Sequence, residues 1–541
     1  MFAKSTSFIA RSVYFGPDNN NNICIIPVDK QNELVANGLV LRRTNVVAVL
    51  VYNGGTEWAM MDSLEFAPDL TEKNSLFKWL LGINSNNTDT LKSTDNSILS
   101  EFEVIIDSLC DKYNLNDDQR YVVKDVALKV CRMYSSDQNI ELCINPISLV
   151  HGPFGSGKSL VLGVLIIVLH NLKSNFIDRY DNFKYLRVLV CSMTNAAVDR
   201  VLLSLLKLGF NEIIRVGNSK RVSKQIKPFL NKSSLSSLGY DDLESNEFDQ
   251  SNSFENGISD DDVEDFCISD KTLETAFVVG STCLSATNPA LSSLSFPLVL
   301  VDEVGQVPEY MTLIPLVRSE AKFVILAGDP QQLPPTVTRK SDKMAIESGP
   351  TLLSKQYRCH PNISKLLNSL FYNNRLVDGI GIADRLPVFK GLPAMCFVDV
   401  YEGSEKQNGG SVSFYNSHEI DICIALINFF VYKLKIEPLK IGVISLYKDQ
   451  ANMIADRLGQ KDGTSLVKSS TVDAFQGSEK DIIILSCIRT QSIGFSSNYP
   501  RINVALSRAK KHCIVLGNKS LLATSKLWAN TVEYCKGKLE G

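Results

Sequence analysis

At 541 residues, 44% of them apolar, the chain is long enough to bury several cores and is expected to form three or four compact units. Its longest apolar run, residues 160–169, is about half of what a bilayer needs, and thirteen cysteines without a CxxC pair beside five scattered histidines exclude a zinc-ligand spacing. The net charge of −3 hides an asymmetry: residues 233–270 hold twelve Asp or Glu and no Lys or Arg, so the remainder carries +9, a balance compatible with a polyanionic partner.

Residues 1–100 mix short apolar runs such as 45–52 with Asn-rich turns, which predicts a small β-rich accessory unit. From Ile147 the rhythm changes. Short β-branched runs at 147–151, 187–193, 277–280, 298–301 and 323–327 alternate with helix-length segments, the pattern of a parallel sheet covered on both faces. A second set at 395–400, 441–446, 482–488 and 513–517 predicts another domain of the same kind. The expected chain is therefore α/β, with two tandem doubly wound domains at 101–350 and 351–541. The acidic, Ser/Asn-rich stretch reads as a loosely ordered surface insertion at about 218–272. No signal segment is recognisable at the N-terminus, and no membrane partner is expected.

The first motif is Gly152-Pro153-Phe154-Gly155-Ser156-Gly157-Lys158-Ser159, which follows a predicted strand and opens an apolar helix. That is the setting of a phosphate-binding loop: glycines let backbone N–H groups converge on a phosphate, and the helix N-terminus adds partial positive charge. Lys158 would bridge the β- and γ-phosphates of ATP, and the Ser159 hydroxyl would ligate Mg²⁺. The run 296–301 delivers Asp302 and Glu303 at its carboxyl end, where ligands of open α/β sheets collect. Asp302 suits Mg²⁺ and Glu303 suits the proton of the attacking water. The third run ends in Gly328-Asp-Pro-Gln-Gln332-Leu-Pro-Pro335, and Gln332 is the candidate sensor of the γ-phosphate.

From about Leu115 to Asn518 these strings, with Leu115-Asn-Asp-Asp-Gln119, Ser192-Met-Thr194-Asn195-Ala-Ala-Val-Asp199, Gln356-Tyr357-Arg358-Cys-His-Pro361, Thr471-Val-Asp-Ala-Phe-Gln-Gly477-Ser-Glu479 and Arg501-Ile-Asn-Val-Ala-Leu-Ser-Arg508, resemble the superfamily-1 helicases of the up-frameshift-like branch. Segments 8–17, 144–159, 201–217 and 470–518 look most like the helicase region of the GRF-zinc-finger DNA helicases. The resemblance implies two RecA-like domains with ATP between them, and Arg358 and Arg508 as arginine fingers. It further implies adenine reading by Gln119, a base stacked on Tyr357, and nucleotide contacts from Gly477 and Glu479. Gln119 also completes a capping box with Asn116, and both readings stand.

Nucleic acid is expected across the tops of both sheets, with phosphates held by Thr194, Asn195, Ser281, Thr282 and Thr471; for each of these a cap or turn role is equally open. By resemblance the chain is a monomeric, nuclear 5′ to 3′ DNA helicase acting on single strands in repair or recombination. An RNA helicase of the same architecture, and a non-motor clamp with ATP as a switch, are the competing readings. The sequence departs from the family in lacking the GRF cysteine spacings, and the stretch 336–356 is shorter than in relatives.

Overall fold

The computed structural model describes residues 10–12, 25–27, 74–80, 96–135, 144–231, 270–335, 350–460 and 463–536. Strands β1 (Ala10–Ser12) and β2 (Ile25–Pro27) pair antiparallel. The rest of the expected β-rich unit, including 45–52, lies outside the described residues up to Asn74. From there the chain already belongs to the first large unit. Helix α1 (Ser75–Leu80) buries Leu76 and Phe77 in its core, and the Asn74 amide donates to the Ala321 carbonyl at 2.6 Å.

The first sheet has seven parallel strands: β3 (Ile147–His151), β4 (Val188–Ser192), β5 (Ile213–Arg215), β6 (Val278–Thr282), β7 (Leu298–Val301), β8 (Phe323–Gly328) and β9 (Thr351–Leu352). Their spatial order is β5-β6-β4-β7-β8-β3-β9, and because all the pairings are parallel every connection is a crossover. The strands are buried on both faces, as continuous Val/Ile/Leu runs demand. On one face lie helices α2 (Asn96–Lys112), α3 (Asp117–Ser135), α4 (Lys158–Phe176) and α5 (Asn195–Lys207). On the other lie α1, α6 (Asp270–Thr275) and α7 (Glu309–Arg318). The apolar run of α4 is explained by its place between α3 and α5, which leaves Val161 through Leu169 buried without a break.

Two boundaries differ from the sequence reading. Thr351 and Leu352, assigned to the start of the second domain, pair with Val150 and His151 of β3 and complete the first sheet. Residues 218–231, assigned to the insertion, are packed: Val222, Ile226 and Leu230 are buried, and Ser223 N–H donates to Asp199 Oδ2 at 2.7 Å. The acidic residues from 232 to 269, and 336–349 of the short stretch, lie outside the described residues.

Past a parallel ribbon of β10 (Lys355–Gln356) and β11 (Val377–Asp378), with α8 (Pro361–Phe371) between them, a second sheet has five parallel strands. They are β12 (Met395–Asp399), β13 (Ile441–Ser445), β14 (Lys468–Thr471), β15 (Lys480–Ser486) and β16 (Ala509–Gly517), in the order β12-β16-β15-β13-β14. Helices α9 (Ser417–Asn428) and α10 (Lys448–Gly459) cover one face; α8, α11 (Val472–Phe475), α12 (Tyr499–Leu506), α13 (Lys519–Leu522) and α14 (Lys526–Lys536) cover the other. The result is two tandem RecA-like doubly wound units whose strand ends face a common cleft. The units are pinned together by Phe154 and Leu333 of the first, which are buried in the core of the second beside Cys359, Ile363 and Tyr372.

Candidate functional site

The loop between β3 and α4 is shaped by its glycines. Gly155 has φ +66° and Gly157 φ +78°, a region that costs other residues strain. A side chain would also have no room: a Cβ on Gly155 would stand 2.6 Å from Arg358 Cβ, and one on Gly157 2.6 Å from Gln119 Nε2. Pro153 turns the loop by accepting the Ser156 N–H at 3.2 Å, and Ser159 sits in the first turn of α4, whose free N–H groups make an anion site.

Strand β7 brings Asp302 and Glu303 to the same loop. Lys158 Nζ stands 2.9 Å from Asp302 Oδ1 and 3.1 Å from Glu303 Oε2. Burial works against the Lys158 ammonium, but the two carboxylates outweigh it and raise its pKa. Glu303 adopts φ +54°, sparsely populated for a non-glycine residue and often found at functional sites. Burial favours its neutral form, yet Lys158 and Arg200 pull its carboxyl down to about 2. Asp302 is fully buried, and its Oδ2 has no hydrogen-bond partner. A phosphate entering the loop would compete with both acids for Lys158.

The second unit supplies cations from the opposite side. Arg358, between β10 and α8, donates from Nε to Glu479 at 2.7 Å and from Nη1 to the Ser507 carbonyl at 3.2 Å. Arg508, just past α12, donates from Nη2 across the cleft to Gln332 Oε1 at 3.1 Å. Burial, followed by the like charge of Arg358, depresses its guanidinium to about 9. Gln332 in turn donates to Asp329 Oδ2 at 2.7 Å. That carboxylate also accepts the Tyr372 hydroxyl at 2.8 Å, and its Oδ1 lies 3.0 Å from His151 Nε2. Asn503 Nδ2 reaches both Tyr372 Oη at 2.8 Å and the Gln331 carbonyl at 2.9 Å. Donors from both units thus converge on one buried acid.

Several expected contacts are already used within the protein. Gln119 forms the capping box, with its N–H donating to Asn116 Oδ1 at 3.1 Å and its Oε1 accepting from Asn116 N at 3.2 Å; its Nε2 holds the Ser156 carbonyl at 2.9 Å. The same side chain therefore braces the phosphate loop. Tyr357 Oη accepts from Asn116 Nδ2 at 2.9 Å, and its ring lies against Gly379. Glu479, expected to contact the nucleotide, is bound to Arg358 and to Lys510 at 2.7 Å, and these cations overcome burial to hold it at about 2. Gly477 has φ +80°, and a Cβ there would strike the Arg200 guanidinium.

Of the expected nucleic-acid positions, Asn195, Ser281 and Thr282 have buried side chains engaged internally: Asn195 Oδ1 accepts from Arg215 Nη2, Ser281 donates to the Thr282 carbonyl, and Thr282 pairs with Ser285. In this conformation the three side chains are thus committed to contacts within the protein. Thr194 and Thr471 cap α5 and α11 and keep surface access. The residues missed by sequence reasoning are Arg200, His151, Phe154, Asp329, Tyr372 and Asn503. Three of them lie inside quoted motifs, so position within a motif was the only available signal.

Two family models, each described as an AAA domain, match residues 114–266 with 256–340 and residues 336–520. The chain is 33% identical over 593 residues to the 5'-3' DNA helicase ZGRF1 of Mus musculus, covering 99% of this chain and 30% of that protein. It is 31% identical to the ATP-dependent helicase upf1 of Schizosaccharomyces pombe, covering 73% and 45%, and 36% identical to Helicase SEN1 of Saccharomyces cerevisiae, covering 49% and 13%. It thus spans less than half the length of each of these relatives. Among solved structures, the Arterivirus nonstructural protein 10 (helicase) in complex with DNA aligns with 72% of this chain and 63% of that one, at 14% identity and a TM-score of 0.34.

Proposed function

From the chain's membership of the superfamily-1 helicases, in the up-frameshift-like branch, we propose that it is an ATP-driven 5′ to 3′ DNA helicase that hydrolyses one ATP in the cleft between its two units. The carrying observation is the hydrogen bond from Arg508 of the second unit to Gln332 of the first, beside the Lys158–Asp302–Glu303 cluster. On this reading the phosphates lie on the backbone N–H groups of residues 152–159 and draw Lys158 away from its two acids. Glu303 then accepts the proton of the attacking water. Arg358 and Arg508 stabilise the charge of the transferring phosphoryl group only while the units are together, which couples hydrolysis to domain movement.

The donor set fits Mg²⁺. Asp302 offers a buried oxygen without a partner, Ser159 a hydroxyl, and this metal takes few protein ligands because phosphates and water supply the rest. When bound it neutralises charge on the phosphate oxygens. Single-stranded DNA is gripped near Thr194 and Thr471, and a DNA repair role with nuclear residence follows from that substrate. An RNA helicase of the same architecture is the alternative, because contacts to the phosphate backbone serve both polymers. Strand separation on 5′-tailed and 3′-tailed DNA and RNA decides between them, with Lys158→Ala as control. Unwinding of 5′-tailed DNA is expected; unwinding of RNA alone, or activity that survives Lys158→Ala, would refute the proposal.

A further inference from the structure

Arg200 belongs to none of the roles above, yet it touches the carboxylate on which hydrolysis depends. It projects from α5, whose N-cap is Thr194, the exposed candidate for gripping a strand; the Thr194 hydroxyl accepts the Ala197 N–H at 3.3 Å. The helix is locked in rotation by its neighbours. Asp199 pairs with the buried Arg215 at 2.9 Å and accepts the Ser223 N–H, and Asn195 accepts from the same arginine. Locked in this way, α5 moves as one body from Thr194 to Arg200.

At the far end of that body, Arg200 Nη1 donates to Glu303 Oε1 at 3.0 Å, while Glu303 Oε2 is held by Lys158. The two oxygens of the carboxylate therefore have different owners. Lys158 leaves when a phosphate claims it, and Arg200 stays. The guanidinium also fills space that exists only because Gly477 of the second unit has no side chain: a Cβ there would lie 1.9 Å from Arg200 Nη2. The contact is thus seated against three things at once: the strand-gripping helix, the catalytic acid and the opposite unit.

We propose that Arg200 is a positioning residue that ties the nucleic-acid end of α5 to Glu303, fixing Oε1 so that Oε2 faces the attacking water when a strand is gripped and the units are closed. This rests on the ATP-driven reading above. It supplies a mechanical reason for nucleic acid to accelerate hydrolysis. A strand that immobilises α5 immobilises Arg200, and through it the orientation of the base, to which turnover is steeply sensitive. Arg200 has no part in holding the nucleotide, so its loss is expected in kcat and not in KM.

The test is phosphate release by the full chain with and without a poly(dT) oligonucleotide. Arg200→Ala lowers the stimulated kcat on the order of ten- to a hundredfold, lowers the unstimulated rate less, and leaves KM for ATP near that of the parent; Arg200→Lys, which keeps the charge, recovers part of the loss. An unchanged ratio of stimulated to unstimulated rates in Arg200→Ala, an equal fall in both, or a rise in KM alone overturns the inference. A parent protein without stimulation, or turnover that persists in Glu303→Gln, sinks the motor reading instead and takes this inference with it.

Discussion

In the first unit Lys158, Asp302 and Glu303 largely neutralise one another, whereas in the second Arg358 and Arg508 crowd together and Arg508 is driven down to about 9 by burial and then by its neighbour's charge. One half of the cleft is self-compensated, and the other has unbalanced positive charge. A phosphate resolves both conditions: it takes Lys158 from the acids and gives the arginines a counter-charge. The cleft is therefore electrostatically incomplete in a way that a nucleotide completes, and closure and binding favour each other.

The comparison breaks most visibly at the arginine half. Arg508→Ala is expected to lower ATP turnover by about 10³ to 10⁵, read as phosphate release at saturating poly(dT), because it removes the guanidinium that reaches Gln332 from the second unit; a loss below tenfold would return Arg508 to a structural role. At the acid half, Glu303→Gln should cost about 10² to 10⁴ in kcat while nucleotide affinity, measured with a fluorescent analogue, is retained. A parallel loss of affinity would mean that the carboxylate serves binding instead.

The contact between the halves can be sharpened through Phe154. Its ring lies 5.6 Å from that of Tyr372, and it is buried in the opposite core, so Phe154→Ala should remove about 3 to 5 kcal/mol of packing. The loss should appear as a lowered unfolding temperature in calorimetry, and an unchanged one would show that the units do not depend on this anchor.

The smallest effect concerns a titration in the second unit. Glu419 of α9 lies beneath the end of β15, where Ser486 and the Ile488 N–H donate to it, and Ile488 is held at φ +69°. Burial outweighs those donors and raises its carboxyl from 4.5 to about 7. A group whose folded pKa is raised stabilises fully below its unfolded pKa and loses that contribution as pH rises through the folded value. Stability should therefore fall by at most about 3 kcal/mol between pH 4.5 and 7, and Glu419→Gln should flatten the dependence of Tm on pH; an equally steep Gln variant would assign the slope elsewhere.

Long, doubly covered strands were readable, and β7 lies at 298–301 as the run of four apolar residues implied, because continuous β-branched burial leaves little alternative. Edge strands β5, β9 and β14 were not readable, since two to four residues of mixed polarity carry no period; Thr351 and Leu352 gain their strand character only from β3. The phosphate loop, the acidic pair and the arginines were legible because their chemistry fixes both residue type and local spacing. Asp329, His151, Tyr372 and Asn503 were not: His151 and Asp329 are 178 positions apart and meet only when β3 pairs with β8, and Tyr372 and Asn503 reach the first unit only after the two sheets dock. The hydroxyls of Ser281 and Thr282 are hydrogen-bonded within the protein, to the Thr282 carbonyl and to Ser285, an engagement that residue type at a strand end does not reveal.

The most direct test of the shared cleft is a structure of the protein with Mg²⁺ and ADP–aluminium fluoride. The account predicts Lys158 and the guanidinium groups of Arg358 and Arg508 within about 3 Å of the γ-phosphate mimic, with Glu303 released from Lys158. Both arginines turned away from the mimic, with Lys158 still on Asp302 and Glu303, would contradict it.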